Sequence, residues 1–271
     1  MIINHNLNAM YALNCMNRAY GALSKNMLRL SSGLRINSAA DDPAGLMISE
    51  KMRAQIAGLS QASRNIQDGI SMINTADGAL NEVHSLLQRG RELSVQAANG
   101  TLSPEDKKHI QIEISEINKE LDSISGNTDF NENKLLNAPA SGKKLVLQVG
   151  ANQGQNISVN LCNASSVNLE VDSVDVTVDA QGAITKYDKA INAVSKHRSY
   201  FGAMQNRLGY ALNVTNTEEE NLTAAESRIR DLDIAKEMMD YAKNSIILQA
   251  AQAMLAQANS QAKSVLKLLE F

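Results

Sequence analysis

Residues 56–87, IAGLSQASRNIQDGISMINTADGALNEVHSLL, carry a heptad repeat that decides the fold class. Alternating steps of three and four residues keep one face of a helix turned towards its neighbours, as in coiled coils. The pattern continues over nine such steps and therefore predicts a single long helix, whose role is packing. Its positions are Ile56, Leu59, Ser63, Ile66, Ile70, Ile73, Asp77, Leu80, His84 and Leu87.

Three further segments predict helices with the same spacing of apolar residues. In chain order, they are residues 23–34, residues 110–124 and a segment from about 186 to 212. Ser103 lies before residues 110–124 and is the predicted N-cap of that helix. Pro104 suits the first helical position, where its missing N–H is not needed.

One region, which follows residues 110–124, has the character of β-strands. Residues 145–149, 156–161 and 174–178 are short β-branched runs separated by Gly, Asn and Asp turns. We therefore predict a mainly α fold. It is a long hairpin-shaped helical bundle or coiled coil with paired terminal helices and a small β-rich insert.

Both ends of the chain lack formally charged side chains, over residues 1–17 and 244–262. Eight of the nineteen residues in the second stretch are Asn, Gln or Ser, which are costly in hydrocarbon, so we expect no membrane insertion. Its alanines allow helices to approach closely. A monomer offers no obvious place to bury both ends, so polymerisation is the simplest interpretation. The first stretch also lacks the basic start and apolar run of a cleavable signal peptide.

Composition and motifs argue against several classes of function. The net charge is −3 without a basic cluster, which argues against nucleic-acid binding. The histidines stand singly, and motifs for metal ligands, activated nucleophiles or phosphate-binding loops are absent from the sequence. We therefore expect no cofactor and no enzymatic activity. Cys15 and Cys162 are expected to be free thiols.

Three strings resemble the signatures of one protein family, the bacterial flagellins. They are LSSGLRINSAADDPAG at residues 30–45, QASRNIQDGIS at 61–71 and ENLTAAESRIRD at 220–231. The resemblance covers roughly residues 1–137 and 186–271. It implies a structural subunit that polymerises into the bacterial flagellar filament for motility.

The resemblance also implies a domain organisation. Residues 1–40 and 232–271 would form the helical filament core, and residues 41–141 with 186–231 the surrounding helical shell. Residues 142–185 would be a short remnant of the variable outer domain.

Apolar residues of the two terminal segments are the candidates for the assembly core. At the front they are Leu7, Met10, Leu13, Leu23, Met27 and Leu30. At the back they are Ile234, Met238, Ile246, Ile247, Leu248, Met254, Leu255, Leu266 and Leu269.

The resemblance further implies partners and a location. The partners are other copies of the chain in a helical homopolymer, a cytosolic export chaperone, and the filament cap and hook–filament junction proteins. The location is the extracellular filament, reached through the flagellum's own type III channel without a cleavable signal peptide.

Residues 87–96, LQRGRELSVQ, resemble the flagellin segment bound by the vertebrate Toll-like flagellin receptor. Gly90 departs from the pattern, because relatives have a bulkier aliphatic residue there. Glycine costs about 1 kcal/mol in a helix interior, so we expect weaker local order at this point. The candidate receptor contacts are Gln88, Arg89, Leu93, Gln96 and Glu113.

Two alternatives remain open at this point. A hook–filament junction protein shares the terminal helices, and would be incorporated in low copy number at the filament base. A secreted membrane-active translocator belongs to another class and needs an apolar hairpin, which the amide-rich ends do not supply.

Overall fold

The computed structural model describes residues 5–137 and 144–269, with side chains described as far as Ser264. The described residues contain five helices and four short strands. The helices are α1 Leu7–Ser32, α2 Pro43–Ala97, α3 Pro104–Asn127, α4 Ala180–Arg230 and α5 Ile234–Leu269. The strands are β1 Asp129–Phe130, β2 Asn133–Lys134, β3 Lys144–Gln148 and β4 Asn156–Asn160. The predicted mainly α fold with a small β-rich insert is confirmed.

The chain divides into two compact units. The first, here called the terminal unit, comprises Met1–Ala54 and Asn221–Phe271. The second, here called the central unit, comprises Gln55–Glu220 and contains one continuous apolar core.

The buried face of α2 in the central unit, called here its heptad seam, differs from the predicted one at every second position. Leu59, Ile66, Ile73, Leu80 and Leu87 are buried as expected. The intervening buried positions lie three residues after each of these rather than four, so the predicted intermediates are only half-buried. The buried intermediates are Ala62, Gly69, Ala76, Val83 and Gly90. Small residues fill most of these sites, and a search for large apolar residues does not detect them.

Two glycines on this seam are sites of close packing. A Cβ atom placed on Gly69 would lie 2.5 Å from Cδ1 of Leu147 in β3. A Cβ atom on Gly90 would lie 2.6 Å from Cε1 and Cζ of Tyr187 in α4. Contacts this short are not tolerated between real atoms, so each glycine makes room for a large side chain.

Helix α3 begins where local sequence predicted it. The Ser103 hydroxyl accepts a hydrogen bond from the Asp106 N–H at 3.2 Å, and the Asp106 carboxylate accepts one from the Ser103 N–H at 3.1 Å. This reciprocal capping box satisfies N–H groups that the first helical turn leaves without partners. Pro104 occupies the start of the helix, as predicted.

Two antiparallel hairpins follow α3, and the second of them, β3 with β4, lies in the insert. β3 pairs with β4 from Lys144 with Asn160 to Gln148 with Asn156, which confirms the first two predicted strands. β1 and β2 form the other hairpin, which the sequence analysis missed. Its turn residues, Asn131 and Glu132, have φ values of 49° and 65°. Such turns usually contain glycine, and the absence of glycine hid the signal.

The third predicted strand, at residues 174–178, is wrong. The segment is not a strand, although Val174 and Val176 are buried. The Gln111 side chain of α3 donates to the Val174 carbonyl and accepts from the Val176 N–H, both at 3.0 Å. One side-chain amide thus takes the place of a neighbouring strand.

Two other polar side chains of α3 bind the chain just before residues 174–178 in the same way. Asn118 donates to the Val171 carbonyl at 3.1 Å. The Asp122 carboxylate accepts from the N–H and the hydroxyl of Ser166, at 2.8 and 2.9 Å. Because buried backbone groups need partners, these α3 side chains determine the path of the insert.

Candidate assembly surface

Helices α1 and α5 pack against each other within the terminal unit, which confirms the predicted pairing of terminal helices. Along α1, the buried residues Ala12, Ala19 and Asn26 recur at seven-residue intervals. On α5, Ala251 is buried. The small side chains of Ala12, Ala19 and Ala251 favour close approach of the two helix backbones.

The end of α1 is fixed by glycine and by backbone pairing. The first predicted helix extended to residue 34, but α1 ends at Ser32 because Gly33 has a φ of 70°, the left-handed conformation that closes helices. The Gly33 carbonyl accepts from the Leu232 N–H at 3.0 Å, and the Arg35 N–H donates to the Arg230 carbonyl at 2.8 Å. This pairing joins the segment after α1 to the segment before α5.

A charged cluster lies beside this junction. Asp41 Oδ1 lies 2.6 Å from Nζ of Lys25 and 3.9 Å from Nη2 of Arg29. Arg29 Nη1 also lies 3.8 Å from Oε1 of Glu237 in α5. With its amide oriented to suit its neighbours, buried Asn26 donates to the same Glu237 oxygen at 3.2 Å. The cluster therefore links α1, the loop that follows it and α5.

Protonation of Asp41 is expected to weaken the terminal unit. The hydrogen bond from Lys25, followed by the N–H groups of Asn37 and Ser38, lowers the pKa of Asp41 from 3.8 to about 2. A lowered pKa contributes stability above pH 3.8 that is lost as the pH falls towards 2. We expect Asp41→Asn to reduce the acid dependence of thermal unfolding, measured by circular dichroism. Asp68→Asn, at an exposed position, is the control and should leave that dependence unchanged. An unchanged acid dependence in Asp41→Asn would contradict the assignment.

The candidate assembly residues fall into three groups. Nine are exposed by 41–66%: Leu7, Met10, Leu13, Met27, Ile234, Met238, Ile246, Ile247 and Met254. Four are half-buried: Leu23, Leu30, Leu248 and Leu255. The side chains of Leu266 and Leu269 lie outside the described ones. The terminal unit thus carries a large apolar surface, called here the terminal apolar surface, which consists of these nine exposed residues.

Further exposed apolar residues of the terminal unit were missed by the sequence analysis. They are Tyr11, Tyr20, Leu28, Met47, Ile48 and Met239. Tyr20 and Leu28, together with Leu23 and Met27, line a shallow groove of about 580 Å³ on α1. These residues do not fall on the heptad positions used for the prediction. Only Tyr11 lies in an uncharged stretch, so the lack of charge does not mark the other five either.

The receptor candidates lie in the central unit and differ in exposure. Gln88, Arg89, Gln96 and Glu113 are exposed. Nε and Nη2 of Arg89 donate to Oε1 of Glu113 at 3.0 and 2.9 Å, which ties α2 to α3. Leu93 is only 2% exposed and forms part of the core, so its side chain is not presented to a partner.

The remaining chemistry of the described residues is sparse. No group of three His, Cys, Asp or Glu side chains among them is placed to hold a metal ion. No helix in the described part of the chain is long and apolar enough to cross a membrane. Cys15 and Cys162 are free, and burial raises the pKa of the Cys162 thiol to about 11.

Comparisons with known proteins agree with the fold. The model of the bacterial flagellin N-terminal helical region matches residues 3–141, and that of the bacterial flagellin C-terminal helical region matches residues 184–269. A flagellin of Halalkalibacterium halodurans is 52% identical over 273 residues, spanning 99% of this chain and 100% of the relative. A flagellin of Bacillus subtilis is 50% identical over 305 residues, with 99% and 100% covered.

Among solved structures, the crystal structure of Bacillus cereus flagellin matches with a TM-score of 0.50 and 32% identity, covering 60% of this chain and 94% of that one. Matches along the whole chain favour a filament subunit over the hook–filament junction and translocator alternatives. The chain belongs to the bacterial flagellin family, and it is a structural subunit of the flagellar filament, the extracellular homopolymer used for motility, rather than an enzyme.

Proposed function

We propose that copies of the chain polymerise through the terminal apolar surface, with the half-buried Leu23, Leu30, Leu248 and Leu255 completing the contact. Leu266 and Leu269 belong to the same proposal from the sequence. The observation that carries it is the exposure of nine large apolar side chains on α1 and α5 of one unit. Large exposed apolar side chains gathered on one part of a soluble protein mark a surface that binds a partner.

The energetics are consistent with assembly by burial of this surface. A large aliphatic or Met side chain contributes about 1.5–3 kcal/mol when it is fully buried. The nine residues are roughly half exposed, so covering them supplies a large part of the about 4–15 kcal/mol that association costs. Replacing one of these nine residues with a charged residue is therefore expected to raise the critical concentration.

The first test replaces one residue of the terminal apolar surface with a charge. Ile246 is 66% exposed, so Ile246→Asp is expected to leave the monomer folded while raising the critical concentration about tenfold or more. The measurement is seeded polymerisation of purified monomer, followed by sedimentation and electron microscopy. The matched control is Val178→Asp in the central unit, at a residue 84% exposed. The proposal would be contradicted if both variants lost assembly to the same extent, or if neither lost it.

The proposed filament architecture assigns a layer to each part of the chain. Residues 1–40 and 232–271 form the inner core, residues 41–141 and 186–231 the shell, and residues 142–185 the reduced outer domain. The packing of α1 against α5 supports a common layer for the two ends. The boundaries follow the family resemblance, and the two compact units are divided at other residues.

The proposed steps of export and capping come from the family resemblance. We propose that a cytosolic chaperone covers the apolar face of α5 before export, because this face would otherwise associate prematurely. The chain then passes through the flagellum's type III channel. It is added to the filament beneath the cap protein, with a junction protein joining the filament to the hook.

A second proposed function is recognition by the vertebrate Toll-like flagellin receptor. The observation that favours it is the exposed arrangement of Gln88, Arg89, Gln96 and Glu113 across α2 and α3, with Arg89 held by Glu113. Leu93 has a supporting role in this proposal, because it packs inward and holds the helix.

The receptor proposal is tested by Arg89→Ala with Arg91→Ala as the matched control. Arg91 is an exposed neighbour whose Nε lies 2.6 Å from Oδ1 of Asp188. In a reporter-cell assay with monomer, Arg89→Ala should raise the half-maximal concentration about tenfold, the effect expected for a contact arginine. Arg91→Ala should leave it close to the wild-type value. Signalling that is unaffected by Arg89→Ala would overturn this assignment, with no consequence for the assembly proposal.

A further inference from the structure

The methionines are distributed unevenly between the two units. Both methionines of the central unit, Met72 and Met204, are buried, at 4% and 6% exposure. Every exposed methionine among the described residues lies in the terminal unit. These are Met10, Met27, Met47, Met238, Met239 and Met254. The exposed methionines among the described residues are therefore concentrated in the unit that carries the terminal apolar surface.

Four of these residues belong to the terminal apolar surface: Met10, Met27, Met238 and Met254, each at least 50% exposed. We propose that these four methionines are oxidation sites for a peroxide, and that their conversion to the sulfoxide blocks polymerisation of the monomer. The inference rests on the proposed assembly through the terminal apolar surface. It adds a chemical regulation of that surface.

The reaction is a two-electron oxygen transfer. The sulfur attacks one oxygen of hydrogen peroxide, the O–O bond breaks, and a sulfur–oxygen bond forms. Both hydrogens of the peroxide leave with its other oxygen as one molecule of water, so that thioether and peroxide give sulfoxide and water. Reduction requires two thiol equivalents, which become a disulfide while the oxygen leaves as water, as in the repair of methionine sulfoxide.

The physical consequence follows from the change in polarity. Methionine is a flexible apolar side chain that fills irregular contacts, whereas its sulfoxide carries a strong hydrogen-bond acceptor. In the monomer, water satisfies this acceptor, so the fold is unaffected. In the assembled filament, the same acceptor would be buried against an apolar partner surface, which is unfavourable without a donor.

Peroxide treatment should therefore have different effects on the monomer and on the filament. Monomers are open to the oxidant and lose the ability to assemble. Filaments cover the four sulfur atoms and resist the same treatment. Met72 and Met204 are buried in the core of the central unit and should stay reduced in both forms, which makes them internal controls for global unfolding.

The experiment begins with seeded polymerisation of untreated, full-length monomer. This step tests the proposed function on its own, because failure to polymerise here contradicts assembly and not the oxidation chemistry. A second sample is treated with hydrogen peroxide, quenched, and offered the same seeds. We expect its critical concentration to rise about tenfold or more, as for a polar group buried in the contact. Methionine sulfoxide reductases with thioredoxin should restore assembly.

Two variants locate the effect. The first variant replaces methionine with an apolar residue of similar volume, which is usually tolerated, and carries Met10→Leu, Met27→Leu, Met238→Leu and Met254→Leu. It should polymerise after peroxide treatment. The matched control carries Met47→Leu and Met239→Leu, which remove two other exposed methionines, and it should remain sensitive. Protection by the control variant, or sensitivity of the four-residue variant, overturns the proposal.

A wild-type measurement decides the question if the four-residue variant does not fold or assemble. Monomer carrying on average about one sulfoxide is mixed with seeds, and polymer is separated from the remaining monomer by sedimentation. Peptide mass spectrometry should find sulfoxide at the four sites enriched in the unincorporated fraction. Equal sulfoxide content in the two fractions overturns the proposal, whatever the variant does.

Discussion

Replacing Gly90 with leucine is expected to lower the free energy of unfolding by about 3 kcal/mol, at the upper end of the usual cost of overpacking a core. The reason is the ring of Tyr187, which is fully buried and whose Cε1 and Cζ atoms would lie 2.6 Å from the new Cβ. Leucine also favours the helix by nearly 1 kcal/mol relative to glycine, but this gain is smaller than the steric cost. The measurement is urea unfolding of the monomer, followed by circular dichroism.

Two controls isolate the packing term. Gly78 lies in the same helix with no heavy atom within 4 Å of the position of a Cβ atom. Gly78→Ala should therefore stabilise the protein by about 1 kcal/mol through helix propensity alone. In a Tyr187→Ala background, the space for leucine exists, so Gly90→Leu should cost far less than in the wild type. An equal cost in both backgrounds would mean that Tyr187 is not the cause.

This packing changes the interpretation of Gly90 from the sequence. Glycine in a helix interior predicted weaker local order, because helix propensity is the property that a sequence displays directly. The structure gives the same residue a role in the core, as the site that accommodates Tyr187. Gly90 and the buried Tyr187 are therefore two parts of one packing arrangement.

The features that the sequence predicted well are those with local causes. The start of α3 depends on Ser103, Pro104 and Asp106, which are adjacent in the chain and whose chemistry is sufficient for a cap. The strand at 174–178 fails for the opposite reason. Its β-branched pattern is local, but the partner of its backbone is Gln111, more than sixty residues away. The pattern shows that Val174 and Val176 are buried, and it does not show what binds the N–H and C=O groups between them.

The assembly surface and the receptor candidates also combine features that local sequence displays with features that depend on packing. The uncharged stretches are visible in the sequence, and α1 and α5 carry exposed apolar side chains both inside and outside these stretches. The direction of each side chain depends on which face of the helix packs. A resemblance transfers residue identity without that information, and it therefore placed buried Leu93 among surface residues.

The seam of α2 illustrates why a heptad pattern is ambiguous. Leu59, Ile66, Ile73, Leu80 and Leu87 recur every seven residues, and the position between two of them can lie either three or four residues later. Both choices satisfy the alternation of three and four, and they differ by one residue, or about 100° around the helix. The large Ile56 and Ile70 favoured the second choice, whereas burial of Ala62, Gly69, Ala76 and Val83 establishes the first.

Substitutions at two adjacent residues, Val83 and His84, distinguish these seams. Val83 is fully buried in the core, whereas His84 belongs to the predicted seam and is only half-buried. Val83→Asp removes an apolar side chain from the core and places a carboxyl group there without a partner. We expect a loss of about 4 kcal/mol or more, since both effects act together. In a chain of this size, that corresponds to a fall in the unfolding temperature of roughly 10 °C.

His84→Asp introduces the same group one residue later, and it provides the matched comparison. Nε2 of His84 lies 3.0 Å from Nε2 of exposed Gln88, whereas Nδ1 of His84 is buried, so water reaches only one side of this half-buried position. The cost should be clearly smaller than for Val83→Asp, because the new carboxylate keeps part of its hydration. Thermal unfolding of both variants, with hydrogen exchange of α3 peptides to report on the central unit, decides between the seams. A larger loss in His84→Asp than in Val83→Asp would restore the predicted seam and contradict the packing of Ala76, Val83 and Gly90 towards the core.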